Sequence, residues 1–486
     1  MLFNSYEFIF AFLPVSVLVF ILCQRTGNRR LTSSWLVFCS LFFYAWWNSS
    51  YLPLILLSIL INFNLAGSMR LLNKKNKLKT SKLVLIVGIS LNLILLGYFK
   101  YADFFIGNIR FIVNIEHTSL NIILPLAISF FTFQQITYLV DTYKKQVQPH
   151  GLLDYMLFVT FFPQLIAGPI VHHREMMPQF SSPLFLTPNT LNVCKGLSIF
   201  SLGLFKKVVI ADYFALLANP VFDQAVNSPL PNAVVAWTGA ISYTLQLYFD
   251  FSGYSDMAIG LALIFGITLP YNFNSPYKAA SIIDFWRRWH MTLSRFLKDY
   301  IYIPLGGNRK GYIRRLINVI ITMFIGGLWH GAGWTYVLWG LLHGFYLVIN
   351  HSWRALVLVP PIPYHWRILS TFLGQALTFI AIVIAWVVFR SENLLTAFNI
   401  VSHMISINPS HFTQPIQNIP SLLAGLLLIW LAPNSNEIFS KKRISRSLNI
   451  HFQWLPNLYS AVLFSLLGFT AILYLARAQE FLYFQF

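Results

Sequence analysis

LTSSWLVFCSLFFYAWWNSSYLPLILLSILINFNLAGSM, residues 31–69, runs for 39 residues without an Asp, Glu, Lys or Arg. A bilayer core about 30 Å thick is crossed by about 20 residues of helix, so the stretch holds two crossings with a turn at Asn48-Ser49-Ser50. Basic clusters at 25–30 and 74–82 flank it. Two crossings return the chain to the side it left, so both clusters share a side, and the positive-inside rule makes that side cytoplasmic. Further apolar windows follow at 8–23, 83–99, 121–140, 153–171, 196–205, 233–249, 257–269, 316–353, 368–389, 422–431 and 458–476. They predict an all-α, polytopic membrane protein with roughly 11 to 13 transmembrane helices. Several windows are short or interrupted by Gly and Pro, which adds re-entrant and interfacial helices covered by protein or lining a watery cavity.

The composition agrees with these windows. Of 486 residues 57% are hydrophobic and 17% aromatic, and only 10% are charged, against about 25% in a soluble domain. The net charge of +19 comes from 34 basic and 15 acidic residues. Basic residues scattered between apolar spans, with no nucleic-acid-binding motif, argue for membrane orientation and against nucleic acid. Cys23, Cys39 and Cys194 are widely spaced and lie in or beside apolar stretches, so neither a disulfide framework nor a metal site follows, and they read as packing residues. The segment 8–23 has its basic residues after it and no small-residue cleavage site, so it reads as a retained helix with the N-terminus outside. Lys441, Lys442, Arg443 and Arg446 precede one last span, which puts the C-terminus outside too. No internal repeat or soluble domain is visible, and residues 1–486 read as one membrane domain.

Four segments carry ionisable groups that lipid would not accept. Asp284-Phe285-Trp286-Arg287-Arg288-Trp289-His290-Met291-Thr292-Leu293-Ser294 has a helical pattern. On a helix His290 would share a face with Trp286, Arg287 and Ser294; the competing reading is a basic amphipathic helix at the interface. Ile303-Pro304-Leu305-Gly306-Gly307-Asn308-Arg309-Lys310-Gly311 is a turn whose backbone N–H groups, with Arg309 and Lys310, could cradle phosphate, or simply a cytoplasmic loop. Gly326-Gly327-Leu328-Trp329-His330-Gly331-Ala332-Gly333-Trp334 places a histidine inside a charge-free window, with glycines for a helix break and close approach of a substrate. A group titrating near pH 6.5 there suits proton transfer. His343, in a more regular run, reads as packing. In the fourth segment Gln246 and Asp250 are i, i + 4 on one face and Asp256 follows Gly253. They would orient a histidine, line a polar passage, or tie helices together.

Taken in order, Phe3 to Phe8, Phe161 to Ile170, Tyr248 to Asp256, Asp284 to His290, Tyr302 to Arg309, Gly327 to Gly333 and Phe481 to Phe486 resemble the membrane-bound O-acyltransferase (MBOAT) family. Within it they are similar to the bacterial branch that includes the alginate O-acetylation membrane subunit. The resemblance implies helices around a central tunnel, acyl transfer dependent on the buried His330, and His290 as the upstream polar partner. Trp329, Gln246, Asp250, Asp256, Arg309 and Lys310 are the candidate substrate-binding residues. It further implies acetyl-CoA as cytoplasmic donor and delivery of acetyl outward across the inner membrane to a periplasmic acetyltransferase partner and a polysaccharide; no bound cofactor is expected, and no metal, because no Asp, Glu or His cluster has ligand spacing. Alginate is the expected acceptor, with peptidoglycan or cellulose also open. The alternatives are D-alanyl transfer to teichoic acid and, outside enzymes, a secondary transporter or flippase.

Overall fold

A computed structural model describes residues 1–114, 120, 122–356, 364–406, 418–440, 453–479 and 481–482. The basic cluster at 441–446 and the last four residues of the closing motif, 483–486, lie outside them. Among the described residues the chain is helical without a strand. Six helical runs among the described residues are long and apolar enough to cross a membrane: Phe8–Arg25, Ser49–Lys74, Leu78–Val113, Tyr312–His330, Ile368–Arg390 and Leu458–Arg477. Leu394–Ile405 and Ile419–Leu431 are shorter apolar helices.

Local chemistry sets the helix starts. Asn28 caps Arg29–Ala45 by accepting from Leu31 N at 3.2 Å, and Asn48 accepts from Ser50 N at 2.9 Å where the 31–69 window turns. Pro53 sits in the first turn of Leu52–Lys74, where its missing N–H would have had no intrahelical partner. Asn457 accepts from Ser460 N to open the last long helix. The 153–171 window, expected as a span, is instead interrupted. Leu152–Thr160 ends at Phe161, which leaves the helical region at φ −47°, ψ 106°, and a single turn, Phe162–Leu165, restarts with Pro163 in its first turn; Pro163 has no N–H with which to continue the preceding helix and is tolerated where a helix begins. Cys23 and Cys39 are buried, but Cys194, expected to pack, is exposed.

The chain forms two compact units, each assembled from separate stretches. The first comprises 1–204, 254–270 and 456–476. Within it Phe3 packs on Phe8, Phe43 and Tyr254, and polar pairs join helices: Asn62 with Asn92, and Gln135 with Ser58. Asp256 belongs to this unit and is buried. The second comprises 205–253, 271–455 and 477–486. Its core is aromatic, built on Trp286, Trp289, Trp339, Trp386 and Phe389, and it contains every other site residue proposed from the sequence.

Candidate active site

His330 is the last residue of the helix Tyr312–His330, and Trp334–Leu356 starts four residues later. Glycines make this hairpin tight. A Cβ on Gly340 would stand 2.5 Å from the Met323 carbonyl oxygen and 3.1 Å from Gly327 Cα, and a Cβ on Gly327 would strike the Tyr336 carbonyl oxygen. Only hydrogen fits where these two backbones approach so closely. At Gly331 the backbone turns extended, with ψ 156°, and a side chain there would run into the Tyr336 ring. The expected glycine break therefore places His330 at a helix end.

His330 is 7% exposed, and its ring meets those of Trp329, Trp339 and Phe389 edge-on at 5.0, 5.0 and 5.2 Å between centroids. Trp329 also faces His290, at 6.1 Å, so one indole stands between the two imidazoles. Trp339 continues the series to His343 at 4.8 Å. His343 is fully buried and accepts a hydrogen bond from Trp286 Nε1 at 3.2 Å.

His290 is not on a helical face with Trp286 and Ser294. The helix Ile282–Trp286 has already ended, Met291–Leu297 has yet to begin, and His290 lies between them at φ 42°, ψ 53°. Left-handed backbone at a non-glycine residue is uncommon and costs about 1 kcal/mol or more. It is held by an adjoining extended stretch: Asn274 N donates to Arg288 O and Met291 N donates to Asn272 O, both at 2.9 Å. Periodicity cannot register such a break, because the residues on each side remain helical in pattern. His290 is 1% exposed, with Phe251 edge-on at 4.8 Å.

The turn at 303–311 also differs from expectation. Gly306 N, Gly307 N and Arg309 N donate to carbonyls within the turn itself, those of Ile303, Tyr302 and Gly306. These three are spent and leave no donor for a phosphate. What the turn offers is two exposed cations, Arg309 and Lys310. Gln246 is buried, with its Oε1 unbonded. Asp250 turns to neither histidine. Its Oδ1 is 2.8 Å from Lys207 Nζ, and its Oδ2 accepts from Leu482 N at 3.2 Å. Lys207 also meets Asp212 at 2.7 Å and lies 5.0 Å from the Phe481 ring centre, while Asp212 accepts from Gln479 N. Of the readings open for Asp250, the one these contacts match is the tie between helices. Lys207 and Asp212 were missed in the sequence; the signal was Lys206-Lys207 interrupting an otherwise apolar run, here a π-helical turn, Lys206–Ala211. Among the described residues no three His, Cys, Asp or Glu side chains gather as metal ligands.

Residues 41–390 match the family model described as MBOAT, membrane-bound O-acyltransferase family. The chain belongs to this family. As a membrane-bound O-acyltransferase it is an enzyme and a multi-pass membrane protein, and the transporter reading falls away. It is 49% identical over 434 residues to a peptidoglycan O-acetyltransferase of Helicobacter pylori, covering 84% of this chain and 80% of that protein. It is 39% identical over 436 residues to a probable alginate O-acetylase AlgI of Pseudomonas aeruginosa, covering 88% and 80%. A teichoic acid D-alanyltransferase of Streptococcus thermophilus matches at 31% over 244 residues, 47% of this acyltransferase and 57% of that protein.

Proposed function

We propose that this acyltransferase O-acetylates a cell-envelope polysaccharide, taking acetyl from cytoplasmic acetyl-CoA and passing it outward through a periplasmic partner protein. The observation that carries the reading is His330 at a glycine-made helix end, enclosed by aromatic rings, with His290 across Trp329. A thioester is already activated, so catalysis needs a proton acceptor and stabilisation of the tetrahedral oxyanion. The acceptor hydroxyl gives its proton to His330 as its oxygen bonds to the thioester carbonyl carbon. Collapse of the oxyanion breaks the C–S bond, and the departing thiolate takes up the proton. His290 positions the reacting groups, and Arg309 and Lys310 hold the CoA phosphates on the cytoplasmic side. No metal or bound cofactor is required.

For the acceptor, the more similar of the two acetylating relatives is named for peptidoglycan, which moves weight from alginate toward peptidoglycan. D-alanyl transfer is supported by a match to less than half of the chain. The reading includes one catalytic membrane domain over 1–486 in the inner membrane, roughly 11 to 13 crossings and both termini outside. Base-labile acetate on purified peptidoglycan and on exported polysaccharide, measured in a deletion strain with and without the complementing gene, tests it. Restored acetate on either polymer supports the reading; D-alanine esters restored in its place would overturn it.

A further inference from the structure

Neutral imidazole has one N–H and one lone pair, and which nitrogen carries the proton is set by the bond the other makes. His290 Nδ1 lies 3.0 Å from Asn272 Oδ1. That same oxygen takes the Thr292 hydroxyl at 2.9 Å and the Thr292 backbone N–H at 3.4 Å. A backbone N–H can only donate, so the atom it meets is the amide oxygen and not the amide nitrogen. His290 Nδ1 must then be the donor. Asn272, His290 and Thr292 are all buried, and the main-chain pairing of 272–274 with 288–291 brackets His290 from both sides. Ring and amide are therefore held as one unit, at the residue where the backbone is strained.

We infer that Asn272 is a positioning residue that fixes His290 in the Nδ1–H tautomer and leaves Nε2 with the lone pair. This rests on the acyltransferase reading of His290 and sharpens it. Neutral His290 cannot donate an Nε2 hydrogen bond to an oxyanion. The attacking hydroxyl has one proton, which goes to His330, so His290 acts through the fixed placement of its ring, while oxyanion stabilisation falls to other groups.

The test uses the full chain in detergent, labelled with 15N-histidine, the His290 signal being assigned by its loss in His290→Gln. The wild type should show protonated Nδ1 and unprotonated Nε2. Asn272→Asp, which keeps an acceptor oxygen, should retain that state, and Asn272→Ala should lose it. In acetyl-CoA turnover Asn272→Ala should lower kcat about 10- to 100-fold, as losing the partners that orient metal-bound histidines does, with KM for acetyl-CoA unchanged and much of the loss restored in Asn272→Asp. Thr292→Val, which keeps the backbone donor, should show a smaller loss. Protonated Nε2 in the wild type, or Asn272→Ala retaining Nδ1–H or wild-type kcat, would overturn the inference. The tautomer is read in the resting protein, so a wild type that turns over no acetyl-CoA would defeat the proposed function while the spectrum still decides the role of Asn272.

Discussion

Lys207 sits with Asp212 and Asp250 in the interior, all three side chains 10% exposed or less. Removing the one cation from such a cluster leaves two carboxylates without their counter-charge, and breaking a buried ion pair in this way costs about 3–5 kcal/mol. Lys207→Met is therefore expected to lower the unfolding temperature in detergent well below that of Asp250→Asn, which leaves Lys207 paired with Asp212. Equal unfolding temperatures would show that the cluster contributes little. Residues of this kind were the hardest to foresee. His330 is legible because its neighbours in sequence are glycines and tryptophans that already describe its surroundings. Lys207 and Asn272 acquire their meaning from partners 43 and 18 residues away, and no local pattern carries that information.

Among the elements, the hairpin of Tyr312–His330 with Trp334–Leu356 is the most sensitive to small changes. Gly327→Ala and Gly340→Ala each push a methyl group into backbone that cannot give way, an overpacking that costs about 1–3 kcal/mol, and both should lose thermal stability and activity together. Gly333→Ala meets nothing nearer than 3.4 Å and should behave like the wild type in the same assays. The turn after it in function, if not in sequence, is 303–311. Replacing Arg309 and Lys310 together by Ala is expected to raise KM for acetyl-CoA more than it lowers kcat, because contacts to phosphate far from the reacting carbonyl act about equally in ground and transition states. At about 1 kcal/mol for each exposed contact the change is roughly fivefold apiece; an unchanged KM in steady-state assays would remove the turn from the donor site. Uninterrupted apolar windows such as 368–389 and 458–476 correspond closely to helices, since burial in lipid requires every backbone group to be bonded within the segment. The window containing Pro163 and the segment around His290 do not, because there tertiary hydrogen bonds replace helical ones.

For the whole molecule the charge pattern makes a prediction of orientation. With Cys23, Cys39 and Cys194 replaced, a cysteine at Lys77, which is exposed, or at Ser445 should be shielded from a membrane-impermeant thiol reagent added to intact spheroplasts, and one at Gln485 should be labelled. Labelling at Lys77 would invert the map. The family and its chemistry were readable from ordered motifs because they keep their residue types together in sequence, whereas the division into two units, each made of distant stretches, was not. The account's central claim is that His330 moves the proton in acyl transfer. It is tested most directly by acetyl-CoA turnover of the purified wild type and of His330→Gln, a replacement of similar size that cannot serve as the base. The account predicts turnover reduced by about 10²- to 10⁴-fold in a variant whose unfolding temperature matches the wild type; turnover at the wild-type rate in that folded variant would contradict it.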